Sequence, residues 1–273
     1  MMIIDGHAHA LGEFGDVQKI EEIMTKLNVD KIVLCPTGGD PTKEPKRPKP
    51  RKTALYFNPR AHFLSNKIMR LLWRNTSDRD FGNEYVYNMT QQLPEKLIQF
   101  FWVNFNDPQH FEKLMDCYHK WRFKGIKLHQ PIVKFRNDSE EMARIARFAG
   151  VHLMPVFIHV YSAKEAHRLI KLAREHPATN FIIAHLMGLE QIIKKGKDLT
   201  NIYFDTSTYY IISPKRILKA MKHFGADCVL LGSDSPLGYD NLKNNIKKIR
   251  KMAITEEEKA LILGENIARL LEL

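Results

Sequence analysis

The sequence of 273 residues contains few cysteines and no long hydrophobic run. Its three cysteines, Cys35, Cys117 and Cys228, lie far apart and form no CxxC pair. We therefore expect free thiols in a reducing cytoplasm rather than a disulfide framework. No apolar stretch approaches the roughly 18 residues that a membrane-spanning helix requires. No basic region followed by an apolar one opens the chain, so we expect neither a secretory signal nor a membrane partner.

A glycine-rich GxGxxG motif after the first strand is also missing, which argues against an open, doubly wound nucleotide-binding sheet. Eight short apolar segments instead alternate with segments of helical periodicity. This alternation indicates a parallel sheet, and the number eight favours a single (β/α)8 TIM barrel over residues 1–273. After the first strand, which ends near His9, the predicted strands cover residues 31–35, 97–103, 125–129, 153–159, 180–185, 202–205 and 227–234.

The net charge of +11 is concentrated in one segment. Residues 43–80 contain eleven lysines and arginines but only three acidic residues, a local excess of eight. This segment is also rich in proline and contains no pattern typical of a barrel strand. We therefore predict an insertion or lid at residues 37–82, after the second strand. Basic side chains in such a lid would favour a small anionic substrate.

Two histidines, His7 and His9, follow the apolar residues of the first strand. Because side chains alternate along an extended segment, both imidazoles face the same way, as ligands of one divalent metal ion would. Other ionisable residues also follow apolar runs. They are Lys127, His129, His159, His185 and Asp234. The carboxyl ends of the strands meet at one mouth of a TIM barrel, so the sequence predicts a metal site there.

The order of these motifs resembles the amidohydrolase superfamily. The resemblance rests on Asp5-Gly-His-Ala-His9, His159, Ala184-His185 and Gly232-Ser-Asp-Ser-Pro236. Residues 262–271 are similar to the last helix of its amidohydrolase-related branch, which includes enzymes like aminocarboxymuconate-semialdehyde decarboxylase. The resemblance implies a divalent metal, zinc by preference. Its implied ligands are His7, His9, His159 and Asp234, and its implied catalytic residues are Asp234 and His185.

The fourth strand leaves the number of metal ions open. Relatives with two metal ions carry a carboxylated lysine there, and Lys127 stands in a suitable position for that role. His129 lies two residues on and faces the same side, so both residues are candidates for a second metal or for substrate binding. Alternatively, Lys127 is an unmodified ammonium that pairs with Asp234 or with a substrate carboxylate. We favour one metal ion.

The predicted reaction is hydrolysis of a C–N or C–O bond at a carbonyl by a metal-activated water. Non-oxidative decarboxylation at the same ligands is the alternative within the enzyme class. A nucleic-acid or anionic-surface binder acting through the basic insertion is the alternative from another class, and it leaves the residues at the strand ends unexplained. The sequence leaves a homo-oligomer open.

Overall fold

The computed structural model describes residues 1–38, 40–45, 59–72 and 81–273. Eight strands in this part of the chain form one parallel sheet in sequence order, β1 to β8. The strands are β1 (Ile4–His9), β2 (Lys31–Cys35), β3 (Leu97–Trp102), β4 (Gly125–His129), β5 (Val156–His159), β6 (Phe181–Ile183), β7 (Ile202–Asp205) and β8 (Val229–Leu230).

Helices lie between the strands and after the last one. They are α1 (Val17–Leu27), α2 (Pro59–Leu72), α3 (Asn83–Gln92), α4 (His110–Trp121), α5 (Glu140–Val151), α6 (Ala163–Glu175), α7 (Leu189–Lys195), α8 (Pro214–Phe224), α9 (Asn241–Arg250), α10 (Glu256–Ala260) and α11 (Asn266–Leu270). A π-helical turn at Leu261–Glu265 joins the last two. Several starts follow simple capping chemistry, since the Asp16, Ser139 and Ser162 side chains accept backbone N–H groups at the starts of α1, α5 and α6.

The sheet nearly closes into a barrel where β1 meets the segment after β8. Gly6 N donates to Leu231 O at 2.9 Å, and Asp234 N donates to His7 O at 2.7 Å. A side chain at position 6 would crowd Leu231 O, so the glycine permits this close approach. The structure thus confirms the predicted (β/α)8 TIM barrel, whose active sites lie at the carboxyl ends of the strands.

Neighbouring residues of each strand pack into different layers. In β2, Ile32 and Leu34 belong to one buried apolar cluster, whereas Val33 and Cys35 belong to another. This is the period of two that an extended chain imposes on its side chains. Because both layers are apolar, the polar residues are concentrated where the strands end.

Four predicted strands are shorter than expected, β3 by only one residue. Strand β5 begins at Val156 rather than at residue 153, and β6 ends at Ile183 before a 3-10 turn over Ala184–Leu186. The prediction of 227–234 for the last strand was wrong at both ends, because Ala226–Cys228 is a 3-10 turn and the pairing with β7 stops at Leu230. Beyond these points the backbone turns to direct polar side chains into the mouth.

The predicted insertion at 37–82 lies partly outside the described residues, because residues 46–58 and 73–80 fall in the gaps. Most of its basic residues lie there, so the basic insertion is not confirmed. Its described part includes α2, which lies between β2 and α3 in the chain. Within the described ranges, no helix is long and apolar enough to cross a membrane.

Candidate metal centre

The two histidines of β1 are oriented through their Nδ1 atoms. His7 Nδ1 lies 3.2 Å from Asp205 Oδ2 and 3.1 Å from Ser207 Oγ. His9 Nδ1 lies 2.9 Å from the carbonyl oxygen of Pro36. Because carboxylates and carbonyls only accept hydrogen bonds, both Nδ1 atoms carry the proton, and each neutral ring keeps its lone pair on Nε2. The two Nε2 atoms lie 3.2 Å apart.

Asp234 completes a three-residue group that fits a divalent metal ion. Its Oδ1 atom lies 3.6 Å from His7 Nε2 and 3.3 Å from His9 Nε2. Two facing nitrogen lone pairs cannot hydrogen bond to each other, whereas a cation between them would accept both. Ligand atoms at roughly 2.0–2.1 Å from a tetrahedral ion are separated by roughly 3.3–3.4 Å, close to the spacing of these atoms. Across the described residues, this is the one cluster of three or more such ligands.

The protonation states of this group also suit a cation. Burial places the pKa of His7 well below its ordinary value, and the nearby Lys127 charge lowers it further. Burial alone would raise the pKa of Asp234, but the contact with His9 and the neighbouring His7 and His185 hold it below its usual value. These shifts favour a neutral imidazole at His7 and an ionised carboxylate at Asp234, the forms that bind metal ions.

Asp205, at the end of β7, supports this group and was missing from the sequence prediction. It is 1% exposed and accepts hydrogen bonds from Ser207 N at 3.0 Å and from Ser207 Oγ. Gly232 provides the room, because a side chain there would collide with Asp205 Oδ1. Asp205 follows the apolar strand residues 202–204, so the rule that identified the histidines could also have found it.

Asp5 fixes the segment that carries Asp234. Its two carboxylate oxygens accept hydrogen bonds from Ser233 N at 2.8 Å and Ser233 Oγ at 2.6 Å. Burial raises the pKa of Asp5 to about 7, against the hydrogen bonds from Ser233. Asp234 itself has a φ of 58°, the left-handed region that a non-glycine residue seldom adopts. The first and last strands thus position each other's polar residues.

Lys127, in β4, lies directly against His7. Its Nζ atom is 2.8 Å from His7 Nε2 and 4.2 Å from the centre of the Phe157 ring. The side chain is fully buried, and burial lowers its pKa. Lys127 therefore faces the same nitrogen that faces His9 and Asp234. Its role in binding a second metal or a substrate stays a prediction.

His185 lies in the turn after β6, with a φ of 56°. Its Nδ1 atom lies 2.8 Å from the carbonyl oxygen of Ser207, which only accepts, so Nδ1 is the donor. The ring centre is 5.8 Å from that of His7 and 4.9 Å from that of His159. The turn therefore places His185 beside the three-residue group but outside it.

His159 and His129 lie on the other side of the mouth. The two ring centres are 4.3 Å apart, and the His129 ring also stacks on Trp102 at 5.5 Å. His159 Nε2 lies 3.1 Å from Asn66 Oδ1, an atom of α2. The structure thus places His159, a predicted ligand, outside the group formed by His7, His9 and Asp234. No sequence signal pointed to Asn66.

All the predicted site residues nevertheless line one cavity of about 460 Å³, a volume suited to a small molecule. They are His7, His9, Lys127, His129, His159, His185 and Asp234. The remaining walls are largely apolar, with Met69 of α2, Trp102, Ile132 and Leu237 among them. Lys43 and Glu44 of the loop after β2 contribute charges to the same cavity.

Comparisons with known proteins agree with this geometry. A model of the amidohydrolase family matches residues 67–273. That range contains β3 to β8, with His159, His185 and Asp234, whereas β1 with its two histidines lies before it. A search of curated proteins found no match.

Solved structures with the same fold include enzymes of several activities. The 2,6-dihydroxybenzoate decarboxylase from Rhizobium has a TM-score of 0.70 and 15% identity, covering 100% of this chain and 99% of that one. A dihydroxybenzoic acid decarboxylase from Polaromonas, with bound manganese and 2-nitroresorcinol, has a TM-score of 0.71 and 15% identity, covering 100% and 97%. The 4-oxalomesaconate hydratase from Rhodopseudomonas palustris has a TM-score of 0.65 and 19% identity, covering 99% and 96%. At these identities the likeness shows a shared fold.

Proposed function

The chain belongs to the amidohydrolase family, and on that premise we propose that it is a metal-dependent hydrolase. The proposed reaction cleaves a C–N or C–O bond at a carbonyl of a small anionic substrate. One observation carries this proposal: the Nε2 lone pairs of His7 and His9 and the Oδ1 atom of Asp234 face a common point. Neutral imidazoles and a carboxylate directed at one point form a typical divalent-metal site.

We assign one divalent ion, zinc by preference, to His7, His9 and Asp234, with His159 as a further ligand. A bound zinc ion lowers the pKa of its water towards about 7 and polarises a carbonyl oxygen. Asp205 and Pro36 support the assignment, because they hold the protons of the two imidazoles on Nδ1. Such partners fix the orientation and basicity of ligand histidines.

Asp234 and His185 are the residues that we expect to move protons. The low pKa of Asp234 keeps its carboxylate ionised, so it can accept a proton from the attacking water and return it to the leaving group. His185 donates its Nδ1 proton to Ser207 O, so its Nε2 atom acts first as an acceptor. Once protonated, the same Nε2 atom can donate to the oxyanion that develops.

We propose that the segment at 37–82 acts as a lid and favours an anionic substrate. Met69 of α2 and Lys43 of the loop after β2 both line the cavity. Lys43 Nζ lies 3.8 Å from Asp40 Oδ2, and both side chains are exposed, so a substrate carboxylate would share the Lys43 charge with Asp40. Replacing Lys43 with alanine should raise KM for a carboxylated substrate and leave kcat unchanged, and the exposed Lys67→Ala on α2 is the control. An unchanged KM would contradict a role of Lys43 in substrate attraction.

Metal analysis of the purified protein tests the proposal directly. We expect about one divalent ion per chain, loss of activity after chelation and recovery with zinc or manganese. Activity is then measured on carboxylated amides, esters and lactones, with incorporation of labelled oxygen from water as the sign of hydrolysis. A protein that binds no divalent ion, or that keeps full activity without one, would overturn the assignment.

Decarboxylation is the second candidate, and the apolar walls of the cavity favour it. Trp102, Ile132 and Met69 would surround a substrate ring and strip water from its carboxylate. Removal of that water destabilises the charged group relative to the transition state for loss of carbon dioxide. Release of carbon dioxide from aromatic carboxylates, without incorporation of oxygen from water, would identify this reaction.

We also propose that the protein works in the cytoplasm. All three cysteines are free thiols, and Cys35 is fully buried. This usage is typical of a reducing compartment.

A further inference from the structure

Helix α2 contacts the barrel mouth through the buried amide of Asn66, which is 1% exposed. Asn66 Nδ2 donates to the carbonyl oxygens of Val160 at 3.1 Å and Tyr161 at 3.0 Å. Because two carbonyls can accept only from the amide nitrogen, the orientation of this amide is fixed. Its oxygen therefore faces His159 Nε2, at 3.1 Å.

This contact determines which nitrogen of His159 carries a proton. Asn66 Oδ1 is an acceptor, so His159 Nε2 must be the donor. His7 and His9 have the opposite arrangement, with the proton on Nδ1 and the lone pair on Nε2. A protonated imidazole nitrogen cannot bind a metal ion. As long as Asn66 is in place, the lone pair of His159 is on Nδ1, and its Nε2 atom cannot be a ligand.

A second residue of α2 anchors the helix at the same place. Arg70 donates to the carbonyl oxygen of Gln130 at 2.6 Å, and its guanidinium lies 3.4 Å from the centre of the Tyr161 ring. Gln130 follows β4, and its side-chain oxygen accepts from Tyr161 N at 2.9 Å. The segments after β4 and β5 are thus tied to each other and to α2. Asn66 is therefore held by a network and does not depend on one hydrogen bond.

We propose that Asn66 is a positioning residue that holds His159 outside the metal centre, so that α2 and a metal ion compete for His159 Nε2. His7, His9 and Asp234 would hold the ion while the hydrogen bond between Asn66 and His159 is intact. Recruitment of His159 as a further ligand then requires the hydrogen bond to Asn66 to break. The inference rests on the proposed function for the metal centre, but not on the reaction catalysed.

A double-mutant cycle on the full chain tests this competition. The affinity for Co²⁺ is measured by calorimetry for the wild type, Asn66→Ala, His159→Ala and the double variant, after removal of bound metal. Asn66→Ala should bind Co²⁺ about 3- to 10-fold more tightly, because binding no longer has to break a hydrogen bond of ordinary net strength. The gain should vanish in the His159→Ala background. The exposed Lys67→Ala on the same helix should match the wild type.

The visible spectrum of bound Co²⁺ gives a second readout, since it depends on the number and type of ligands. We expect Asn66→Ala to change this spectrum, but only when His159 is present. Unchanged or weaker affinity in Asn66→Ala would overturn the proposal, as would a gain that persists without His159. If circular dichroism shows that Asn66→Ala does not fold, Asn66→Ser replaces it with the same expected result.

His7→Ala separates failure of this inference from failure of the proposed function. If His7→Ala binds Co²⁺ as tightly as the wild type, the metal centre itself is misassigned and both proposals fail. If His7→Ala loses Co²⁺ binding while the Asn66 cycle shows no coupling, only the competition for His159 fails.

Discussion

The two sides of the barrel mouth hold their histidines in different ways. On one side, His7 and His9 donate from Nδ1 to Asp205 and Pro36 and direct their Nε2 lone pairs at each other. On the other side, His159 donates from Nε2 to α2, and His129 stacks between aromatic and imidazole rings. All four residues follow or end apolar strands, yet only the first pair has the geometry of a metal site.

The difference shows that the partner of the second ring nitrogen determines what a buried histidine can do. A carboxylate or carbonyl on Nδ1 leaves the lone pair on Nε2, whereas an amide oxygen on Nε2 leaves the lone pair on Nδ1. Position at a strand end brings a histidine to the mouth but does not select its tautomer. Substitutions on both sides of the mouth test this difference between the histidines.

Loss of His7 should have the largest effect. His7→Ala removes a ligand from the side of the mouth that is arranged for metal. We therefore expect metal content near zero and activity lower by more than about 100-fold. This loss exceeds the effect of replacing a residue that only supports a ligand. Metal analysis and steady-state rates measure both quantities. His167→Ala, an exposed histidine on α6, is the matched control and should leave both unchanged. Full metal content in His7→Ala would contradict the prediction, because the side with His7 and His9 would then bind metal no better than the side with His129 and His159.

Lys248 contacts the segment that supports the side of the mouth with His7 and His9. It donates to Ile212 O at 2.9 Å and Tyr209 O at 3.3 Å, in the segment after Ser207. Burial lowers the pKa of Lys248 from 10.5 to about 7. At pH values between about 7 and 10.5, Lys248 is protonated in the unfolded chain but not in the folded chain. The free energy of unfolding should therefore rise with pH in this window.

Urea denaturation from pH 7 to pH 10 measures this effect as a difference between proteins. Relative to Lys248→Met, the wild type should gain up to about 3.5 kcal/mol of unfolding free energy over this pH range. Lys247→Met, an exposed lysine on the same helix, should follow the wild type. A difference that does not change with pH would mean that Lys248 stays charged in the folded protein.

Asp205→Asn should have a smaller effect that is confined to metal binding. The amide keeps one acceptor but loses the charge that fixes the His7 ring, so metal affinity should fall by about 10- to 100-fold. Competition with a chelator measures the affinity. Asp198→Asn, which changes a 63% exposed carboxylate paired with Arg174, is the control. An unchanged affinity would show that Ser207 alone orients His7.

The sequence predicted the barrel and the residues at its mouth because both depend on local patterns. Alternating apolar strands and helices require a layered sheet, and a histidine after an apolar run marks the carboxyl end of a strand. The length of β8 could not be predicted in the same way. Residues 231–233 are apolar or small, but Asp5 binds Ser233 and the segment follows β1 without forming a regular strand.

The contact between Asn66 and His159 lay beyond sequence reasoning for a different reason. The two residues are 93 positions apart, and nothing in the pattern of α2 marks one asparagine as buried. That contact makes Nε2 of His159 a donor. Local patterns therefore predict which residues reach the site, whereas tertiary contacts decide which of their atoms can act.

His129→Phe should have the smallest effect and bears on the number of metal ions. His129 is 8% exposed, and its Nδ1 atom has no hydrogen-bond partner in the described part of the chain. Phenylalanine keeps the stack on Trp102 without this buried polar atom, so the variant should be neutral or up to about 1 kcal/mol more stable. Metal content should stay at about one ion per chain, and His152→Phe, away from the mouth, is the control. If the wild type instead holds two ions and His129→Phe loses one of them, His129 belongs to a second metal site. The side of the mouth with His129 and His159 would then have its own metal ligands.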